Sequence, residues 1–526
     1  MHIDGFQYRM KRVPGRLACT LTLLALAACG GGSSGGGSSG PPPTPVHGSL
    51  LQDPPHFVAL VSAPDLLLNL GATSVQALAA LAVLPVCDVA LFHLEYETQG
   101  GAGEATTSSG ALMVPVGIDA QCNGPRPIVL YAHGTSTDRN FDISDLLVQK
   151  NAEGEVLAAL FASQGYIVVA PNYAGYDTST LDYHPFINAT QQAGEMMDIL
   201  SAARTALPDA QEVLASDDGR LFITGYSEGG YVAMATHRAM QAAGMTVTAS
   251  APMSGPYAIA AFDDAVFGGE VNGGAPISAT LQITGYQRAY GDIYTNPTDI
   301  FAAQYAGGIA SLLPSTSTRS EIYAAGELPP DAVFDPAPPA PQFASITPAT
   351  SPANLAEVFA LGFGAGNLII NSYRLQYLLD AQANPDGGWP SVTTGLPSAS
   401  AGLALRQAAA RNDLRNWVPK APVLLCGGDS DPQVFWFNTQ LMQSYWATNS
   451  PGLTSFRVLD IDAGALTGGP DSALTTAFAL AKAAIAAQAI AQGATDGGAA
   501  AVLEAYHAEL VAPFCAAAVE LFFSGQ

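Results

Sequence analysis

The sequence predicts a doubly wound α/β domain with a mostly parallel sheet and a large cap inserted between two of its strands. Short apolar runs bounded by Gly, Pro and polar residues alternate with longer helical stretches. Strands that are buried on both faces need no polar alternation, so these runs are typical of a parallel sheet. Repeated alternation of strand and helix indicates right-handed crossovers in one sheet.

The first residues predict an export signal that carries a lipid-attachment site. Basic residues at positions 9, 11, 12 and 16 precede an apolar run, Leu17 to Ala28, that is too short to span a bilayer. The run ends in LAAC at Cys29, which resembles a bacterial lipobox. We therefore interpret residues 1–29 as a lipoprotein-type signal with Cys29 as the lipid anchor. An ordinary signal peptide, cut nearby, is the alternative.

Residues 30–50 are predicted to be a tether, and residues 51–526 a catalytic domain. The segment from Gly30 to Pro45 reads GGGSSGGGSSGPPPTP, which is flexible and then stiffer. Gly30 after the predicted lipid site favours the outer membrane as the location, with secretion as the alternative. The predicted membrane contact is through this N-terminal anchor.

The charge balance limits the possible partners. Lys and Arg number 19 and Asp and Glu number 44, which gives a formal net charge of -25. A nucleic acid partner is therefore not expected, because phosphate binding needs a basic surface. We expect no cofactor and no metal, and the sequence does not indicate an oligomeric state.

Cysteine usage predicts two disulfide bonds in the mature domain. Cys87, Cys122, Cys426 and Cys515 remain once the predicted signal is removed. An even number in an oxidising compartment indicates two bonds, and four cysteines permit three pairings. We favour Cys87 with Cys122 and Cys426 with Cys515.

Eight segments are predicted as strands. The first two, Val89 to Tyr96 and Ala111 to Pro115, flank a Gly-rich turn as an edge hairpin would. The others are residues 127–132, 166–170, 221–224, 247–251, 422–426 and 456–459. Helices are predicted over residues 154–163, 190–206, 228–243 and 472–492. The alternation of strand and helix segments is interrupted over residues 256–418. We interpret these residues as a cap over the carboxyl ends of the strands, and a separate binding domain is the alternative.

The strongest chemical signal is the motif GYSEGG, which begins at Gly225. It follows the strand LFIT directly and precedes a helix directly. A tight strand-turn-helix elbow lifts a serine hydroxyl clear of the sheet and needs Gly on either side. Ser227 is therefore the predicted nucleophile, whereas a Gly-rich turn with an incidental serine is the alternative.

Two backbone N–H groups are predicted to form an oxyanion hole. In this kind of elbow, one donor is the residue after the nucleophile, and the other lies in the loop after a neighbouring strand. The strand PIVLYA runs into His133, Gly134 and Thr135. Thr135 and Glu228 would supply the donors, and His133 would be a structural residue of the turn.

The nucleophile needs a base and an orienting carboxylate. In the α/β-hydrolases, which this elbow resembles, the acid and then the histidine follow the serine along the chain. Asp431 lies a few residues beyond the strand PVLLC and matches a G-x-x-D-x-x-V pattern, with Asp429 as the alternative acid. His507 is the one histidine after these residues, so it is the predicted base. Its alternative is a surface histidine. His184 and His237 precede the acid and do not fit the order.

These motifs together resemble the secretory lipase group of the α/β-hydrolases, the lipase-A-like enzymes and their bacterial relatives. The resemblance rests on YAHGT, PNYAGYD, GYSEGG, GGDSDPQV and the segment from His507 to Cys515. One departure is the segment between residues 456–459 and His507, which is longer than this fold usually needs. The resemblance implies an esterase or lipase that cleaves small-molecule or lipid esters through an acyl-enzyme. The alternatives are a surface polyester depolymerase or feruloyl-type esterase, and a catalytically dead binding module.

Overall fold

The computed structural model describes residues 46–526, apart from 82–83, 147–151, 211–212, 387–395, 465–467 and 470. The predicted signal, its Cys29 anchor and most of the predicted tether lie outside the described residues. From Pro45 onward the chain forms one compact unit, which contains all of the predicted catalytic domain.

A nine-stranded sheet forms the centre of the described chain. Its order is β1-β2-β3-β5-β4-β6-β7-β8-β9. The first three strands pair antiparallel, and the strands from β4 to β9 pair parallel with one another. The strands are β1 (His56–Val61), β2 (Asp88–Gln99), β3 (Ala105–Val116), β4 (Gly124–Ala132), β5 (Ile167–Pro171), β6 (Ala215–Tyr226), β7 (Ala249–Met253), β8 (Val423–Gly427) and β9 (Phe456–Asp460).

Helices cover both faces of the sheet, and more helices fill the long insertion between β7 and β8. They are α1 (Ala63–Asn69), α2 (Ala72–Leu81), α3 (Ala152–Leu160), α4 (Ala189–Ala206), α5 (Glu228–Ala242), α6 (Ile259–Phe267), α7 (Ala275–Tyr290), α8 (Ala303–Ala306), α9 (Arg319–Ala324), α10 (Ala356–Leu361), α11 (Asn371–Ala383), α12 (Ala404–Asn412), α13 (Phe437–Asn449), α14 (Ser472–Ala491), α15 (Ala499–Ala505) and α16 (Ala512–Ser524).

The apolar strand runs are buried because each face of the sheet packs against a separate helical layer. Residues of α4, α5 and α13 form a core with one face, and residues of α2, α3 and α16 form a core with the other. Every strand expected from an apolar run is present, including the antiparallel hairpin β2–β3. The predicted α/β-hydrolase type of sheet is therefore confirmed.

The insertion between β7 and β8 contains helices and adds no strand to the sheet within its described residues. Its buried side chains, such as Phe262, Leu281 and Phe359, continue the core on the α4–α5 face. The insertion therefore packs on the sheet as a cap between two strands, as predicted.

The N-terminal edge differs from expectation because β1 was not predicted. This strand pairs with β2 at the edge of the sheet, where Phe57 and Leu60 are exposed. An exposed edge strand shows neither a buried apolar run nor strict alternation, so its sequence carries a weak signal. Backbone hydrogen bonds also join Gly48 to Glu97 and Leu51 to Glu95, so the end of the range predicted as tether is bonded to β2.

Two disulfide bonds have the favoured pairing. Cys87 bonds to Cys122 with Cα atoms 5.4 Å apart, and Cys426 bonds to Cys515 with Cα atoms 5.6 Å apart. The second bond joins the end of β8 to α16. It therefore connects the strand that precedes the predicted acid, Asp431, to the helix that follows the predicted base, His507.

Two helical stretches, Ser472–Ala491 and Ala499–Ser524, are long and apolar enough to cross a membrane by length and composition. The second is 67% buried within the domain, as expected for a core helix. The first is α14, which packs on α2. α14 and α15 fill the segment before His507 that is longer than usual.

Candidate active site

Ser227 lies at a sharp turn between β6 and α5. Its backbone has φ 60° and ψ -122°, a strained conformation that holds the side chain out of the helix. A Cβ at Gly225 would lie 2.3 Å from the carbonyl oxygen of Gly229, and a Cβ at Gly229 would lie 1.9 Å from that of Ala132. Only glycine fits at both positions, which explains the motif physically.

Ser227, His507 and Asp431 form one continuous hydrogen-bonded chain. The Nε2 atom of His507 is 2.9 Å from Oγ of Ser227, and its Nδ1 atom is 2.7 Å from Oδ2 of Asp431. His507 and Asp431 are buried, whereas Ser227 is half-buried. The structure thus brings together the three residues predicted as nucleophile, base and acid.

The second candidate acid lies elsewhere. Asp429 is exposed, and its carboxylate accepts a hydrogen bond from Oγ of Ser430. In contrast, Oδ1 of Asp431 accepts hydrogen bonds from the backbone N–H groups of Gln433 and Val434, at 2.9 and 3.1 Å. These two bonds fix the Asp431 carboxylate and leave its other oxygen for His507.

His507 lies in a π-helical turn, Tyr506–Val511, which joins α15 to α16. Such turns widen a helix locally and often occur at functional sites. The hydroxyl of Tyr226, the residue before the serine, donates to the backbone carbonyl of His507. With the Cys426–Cys515 bond nearby, this contact fixes the histidine segment against the elbow.

The backbone around Thr135 is oriented by a buried histidine. Nδ1 of His133 is 2.6 Å from the carbonyl oxygen of Gly134, and Nε2 is 3.1 Å from that of Asn172. Burial lowers the pKa of His133 to about 4, so the ring is neutral and its single N–H donates to one of these carbonyls, the shorter contact being that with Gly134. The carbonyl of Gly134 and the N–H of Thr135 share one planar peptide and point in opposite directions. His133 thereby orients the N–H of Thr135, in keeping with its predicted structural role.

Within the described residues, neither the N–H of Thr135 nor that of Glu228 donates a hydrogen bond. Both residues line the same cavity as Ser227. The Glu228 N–H also belongs to the first turn of α5, where the helix dipole favours negative charge. The two N–H groups are therefore available to a ligand beside the serine.

Glu153 is a residue of the site that the sequence analysis missed. Both of its carboxylate oxygens are 3.2 Å from the N–H of Gly134, and the hydroxyl of Tyr131 donates to Oε1 over 2.5 Å. Burial raises the pKa of Glu153 to about 7. It lies in α3, far from the elbow in sequence, and no local pattern distinguishes it from a surface glutamate.

The side chain of Glu228 binds His184, a histidine that does not fit the predicted chain order for the base. Oε1 of Glu228 is 2.6 Å from Nε2 of His184 and accepts from Nε2 of Gln192 over 2.7 Å. Nδ1 of His184 donates to the carbonyl of Ala174 over 3.1 Å. Burial disfavours the charged ring, but the Glu228 carboxylate more than offsets this, so the pKa of His184 is raised.

Two cavities meet at Ser227. One, of about 120 Å³, runs beneath the cap between α6 and α7 and has mainly apolar walls. The other, of about 970 Å³, also contains His507 and Glu153 and reaches the beginning of α2 and the middle of α14. A ligand bound at Ser227 can therefore place one half in each cavity.

Comparison with known proteins agrees with this architecture. The prolyl oligopeptidase family matches residues 155–287, a segment that includes the elbow. A search among curated protein sequences found no match.

Among solved structures, the chain is similar to the rice cell wall degrading esterase LipA from Xanthomonas oryzae, with 24% identity and a TM-score of 0.59 over 86% of this chain and 100% of that one. A Legionella pneumophila protein aligns with 19% identity and a TM-score of 0.55, over 78% of this chain and 91% of its own. Candida antarctica lipase A aligns with 13% identity and a TM-score of 0.44, over 78% and 76%.

The first two of these structures share the overall fold of this chain, with TM-scores above 0.5. Sequence identity below 25% shows a shared fold. It does not show a shared reaction, which depends on the residues of this chain. The sheet, the elbow and the likeness to the first two structures show that the chain has the α/β-hydrolase fold.

Proposed function

We propose that this protein is a serine hydrolase that cleaves carboxylic esters through an acyl-enzyme. Oγ of Ser227 attacks the ester carbonyl while Nε2 of His507 takes its proton, and Asp431 stabilises the imidazolium. The N–H groups of Thr135 and Glu228 bind the oxyanion. His507 then protonates the leaving alkoxide as the bond from the carbonyl carbon to the alcohol oxygen breaks. Water, activated by the same histidine, releases the acid.

The hydrogen-bonded chain from Ser227 through His507 to Asp431 is the observation that carries this proposal. Its two distances, 2.9 and 2.7 Å, lie in the range that proton transfer requires. The serine is also the one member of the chain that is half-exposed, at the point where the two cavities meet. A dead scaffold would have no reason to retain this alignment.

The smaller cavity is proposed to hold the acyl group. Its volume of about 120 Å³ is close to the roughly 150 Å³ of an engineered protein cavity that binds benzene. A short acyl chain therefore fits, while the larger cavity takes the alcohol. The larger cavity, of about 970 Å³, has room for a bulky alcohol, which would suit a polyester depolymerase as the second candidate function.

We further propose that the enzyme works outside the cytoplasm, held to the envelope by a lipid on Cys29 and a tether before residue 50. The two disulfide bonds support an oxidising compartment. Metabolic labelling with a fatty acid that carries a click handle, compared between wild type and Cys29→Ala, checks the anchor. Equal labelling of the two proteins would contradict it.

The reaction class is tested by covalent labelling together with a substrate panel. We expect a fluorophosphonate probe to modify Ser227, as located by peptide mass spectrometry, because the activated hydroxyl attacks the phosphorus. We also expect turnover of p-nitrophenyl acetate and butyrate but not of peptide p-nitroanilides. Absence of labelling would indicate the binding module instead, and hydrolysis of the anilides alone would indicate a peptidase.

The His184–Glu228 pair is expected to affect turnover through charge. In His184→Gln, the Glu228 carboxylate keeps a hydrogen-bond donor but loses its cation, next to the N–H that binds the oxyanion. Its other oxygen, Oε2, has no hydrogen bond within the described residues, so the charge is poorly compensated. We expect kcat to fall about 10-fold to 100-fold, or about 1.4 to 2.8 kcal/mol, with little change in KM.

The double variant His184→Gln with Glu228→Gln removes both charges and should return kcat to within about threefold of wild type, a coupling that a double-mutant cycle measures. The raised pKa of His184 adds a pH signature. The ion pair contributes its full stabilisation at pH values below the ordinary histidine pKa. This stabilisation is lost as the pH rises through the raised pKa of His184. Alkaline loss of thermal stability should therefore be smaller in the double variant, and equal loss in both proteins would contradict the assignment.

A further inference from the structure

The smaller cavity contains a polar pair that the proposed reaction does not use. Most of its wall is apolar, with Ile259, Phe262, Phe267, Ile277 and Ile283 among the lining residues. Apart from Glu228, the buried polar side chains in that wall are Asp263 on α6 and Gln282 on α7. Each of the two is only 8% exposed.

The Asp263 carboxyl group has capacity for another hydrogen bond. Nε2 of Gln282 donates to its Oδ2 over 2.9 Å. Within the described part of the chain, no further hydrogen bond to this carboxyl group is present. A carboxyl group has two oxygens and can bind several partners, so one oxygen of Asp263 is left for a ligand in the cavity.

No cation forms an ion pair with Asp263 among the described residues. The nearby guanidinium of Arg406 binds Asp264, and that of Arg415 binds Asp413. Burial, together with the negative charges of Asp264 and Asp413, raises the pKa of Asp263 well above its ordinary value. This shift favours the neutral carboxylic acid, a form that can both donate and accept a hydrogen bond.

We propose that the acyl half of the substrate carries a hydroxyl group, which Asp263 and Gln282 bind inside the smaller cavity. This inference rests on the proposed ester hydrolysis at Ser227 and specifies its substrate class. A hydroxyl matches a neutral acid because each can donate to the other without burying an ion. An unsubstituted acyl chain would leave the buried acid without this partner, and sites built to bind a hydroxyl reject analogues that lack it.

A buried ammonium group is a poorer match for the same place. An ammonium group would require Asp263 to ionise beside two other carboxylates. It would also need three hydrogen-bond acceptors, whereas the cavity wall offers Asp263 and Gln282 among apolar side chains. Amino-substituted acyl groups are therefore expected to be poorer substrates than hydroxylated ones.

The test uses matched p-nitrophenyl butanoates and hexanoates, each unsubstituted or with one hydroxyl or one amino group on the acyl chain. We expect wild type to show a kcat/KM at least about tenfold higher for one hydroxylated ester than for its unsubstituted partner. Asp263→Leu should lose this preference, so that its kcat/KM becomes equal for the two matched esters. Asp263→Asn, which keeps hydrogen-bonding capacity, should retain part of the preference.

Several results would overturn the proposal. These are equal rates on all matched wild-type pairs, a preference for an amino ester, or a hydroxyl preference that persists in Asp263→Leu. Because Asp263 makes no ion pair with the part of the chain that the structure describes, Asp263→Leu should fold, and thermal unfolding checks this. If the variant does not fold, Gln282→Leu is used for the same comparison. Failure of wild type to hydrolyse any ester would instead refute the proposed function.

Discussion

Replacing Ser227 with alanine is expected to abolish ester hydrolysis, with kcat lowered roughly 10⁶-fold. The change removes one oxygen atom and with it the only group in the elbow that His507 contacts through Nε2. The N–H groups at Thr135 and Glu228 would remain, so a small residual rate above that of water is expected. Release of p-nitrophenol from the butyrate ester measures the effect.

The matched control is Ser524→Ala, which removes a hydroxyl at an exposed position of α16. We expect this variant to keep wild-type kcat. Alanine at position 227 should leave the fold intact, because the serine hydroxyl makes no contact that holds the elbow, and circular dichroism with thermal unfolding checks this. A folded Ser227→Ala enzyme with more than a tenth of wild-type activity would refute the nucleophile.

The central sheet and the elbow could be predicted because their signals are local. Buried parallel strands appear as apolar runs, and the elbow needs Gly225 and Gly229 next to Ser227 whatever surrounds them. The edge strand β1 gave no such signal, because its side chains are mostly exposed. The extra length before His507 was visible in the sequence, but its packing on α2 was not, because α2 lies far away in the chain.

The partners of the site residues were harder to predict than the site residues themselves. Chain order was sufficient to select His507 and to set His184 aside as a base. However, it could not show that His184 binds Glu228, because an ion pair between distant segments leaves no periodicity in the sequence. The same holds for Glu153 beneath Gly134 and for Asp263 in the cavity wall. Such contacts depend on the relative placement of elements, which only the assembled fold determines.

The second largest expected effect on kcat is that of Asp431→Asn, which also tests whether Asp431 or Asp429 is the acid. In Asp431→Asn, the new side chain can keep its oxygen on the N–H groups of Gln433 and Val434 and turn its amide N–H₂ towards His507. The imidazole then accepts at Nδ1 and carries its proton on Nε2, which faces Ser227. Such a histidine cannot take the serine proton, so we expect kcat to fall roughly 10⁴-fold, as measured with the butyrate ester.

Asp429→Asn is the matched control, because it makes the same chemical change two residues earlier at an exposed carboxylate. It should leave kcat near wild type, and a larger loss in Asp429→Asn than in Asp431→Asn would reverse the assignment. Asp431→Ala separates two causes of inactivation. It removes both the oxygen that orients His507 and the acceptor for the two backbone N–H groups, so it should lower thermal stability as well as kcat. If Asp431→Asn is inactive but as stable as wild type, its loss of activity comes from the altered protonation of the His507 imidazole. A distorted loop around residue 431 would then not be the cause.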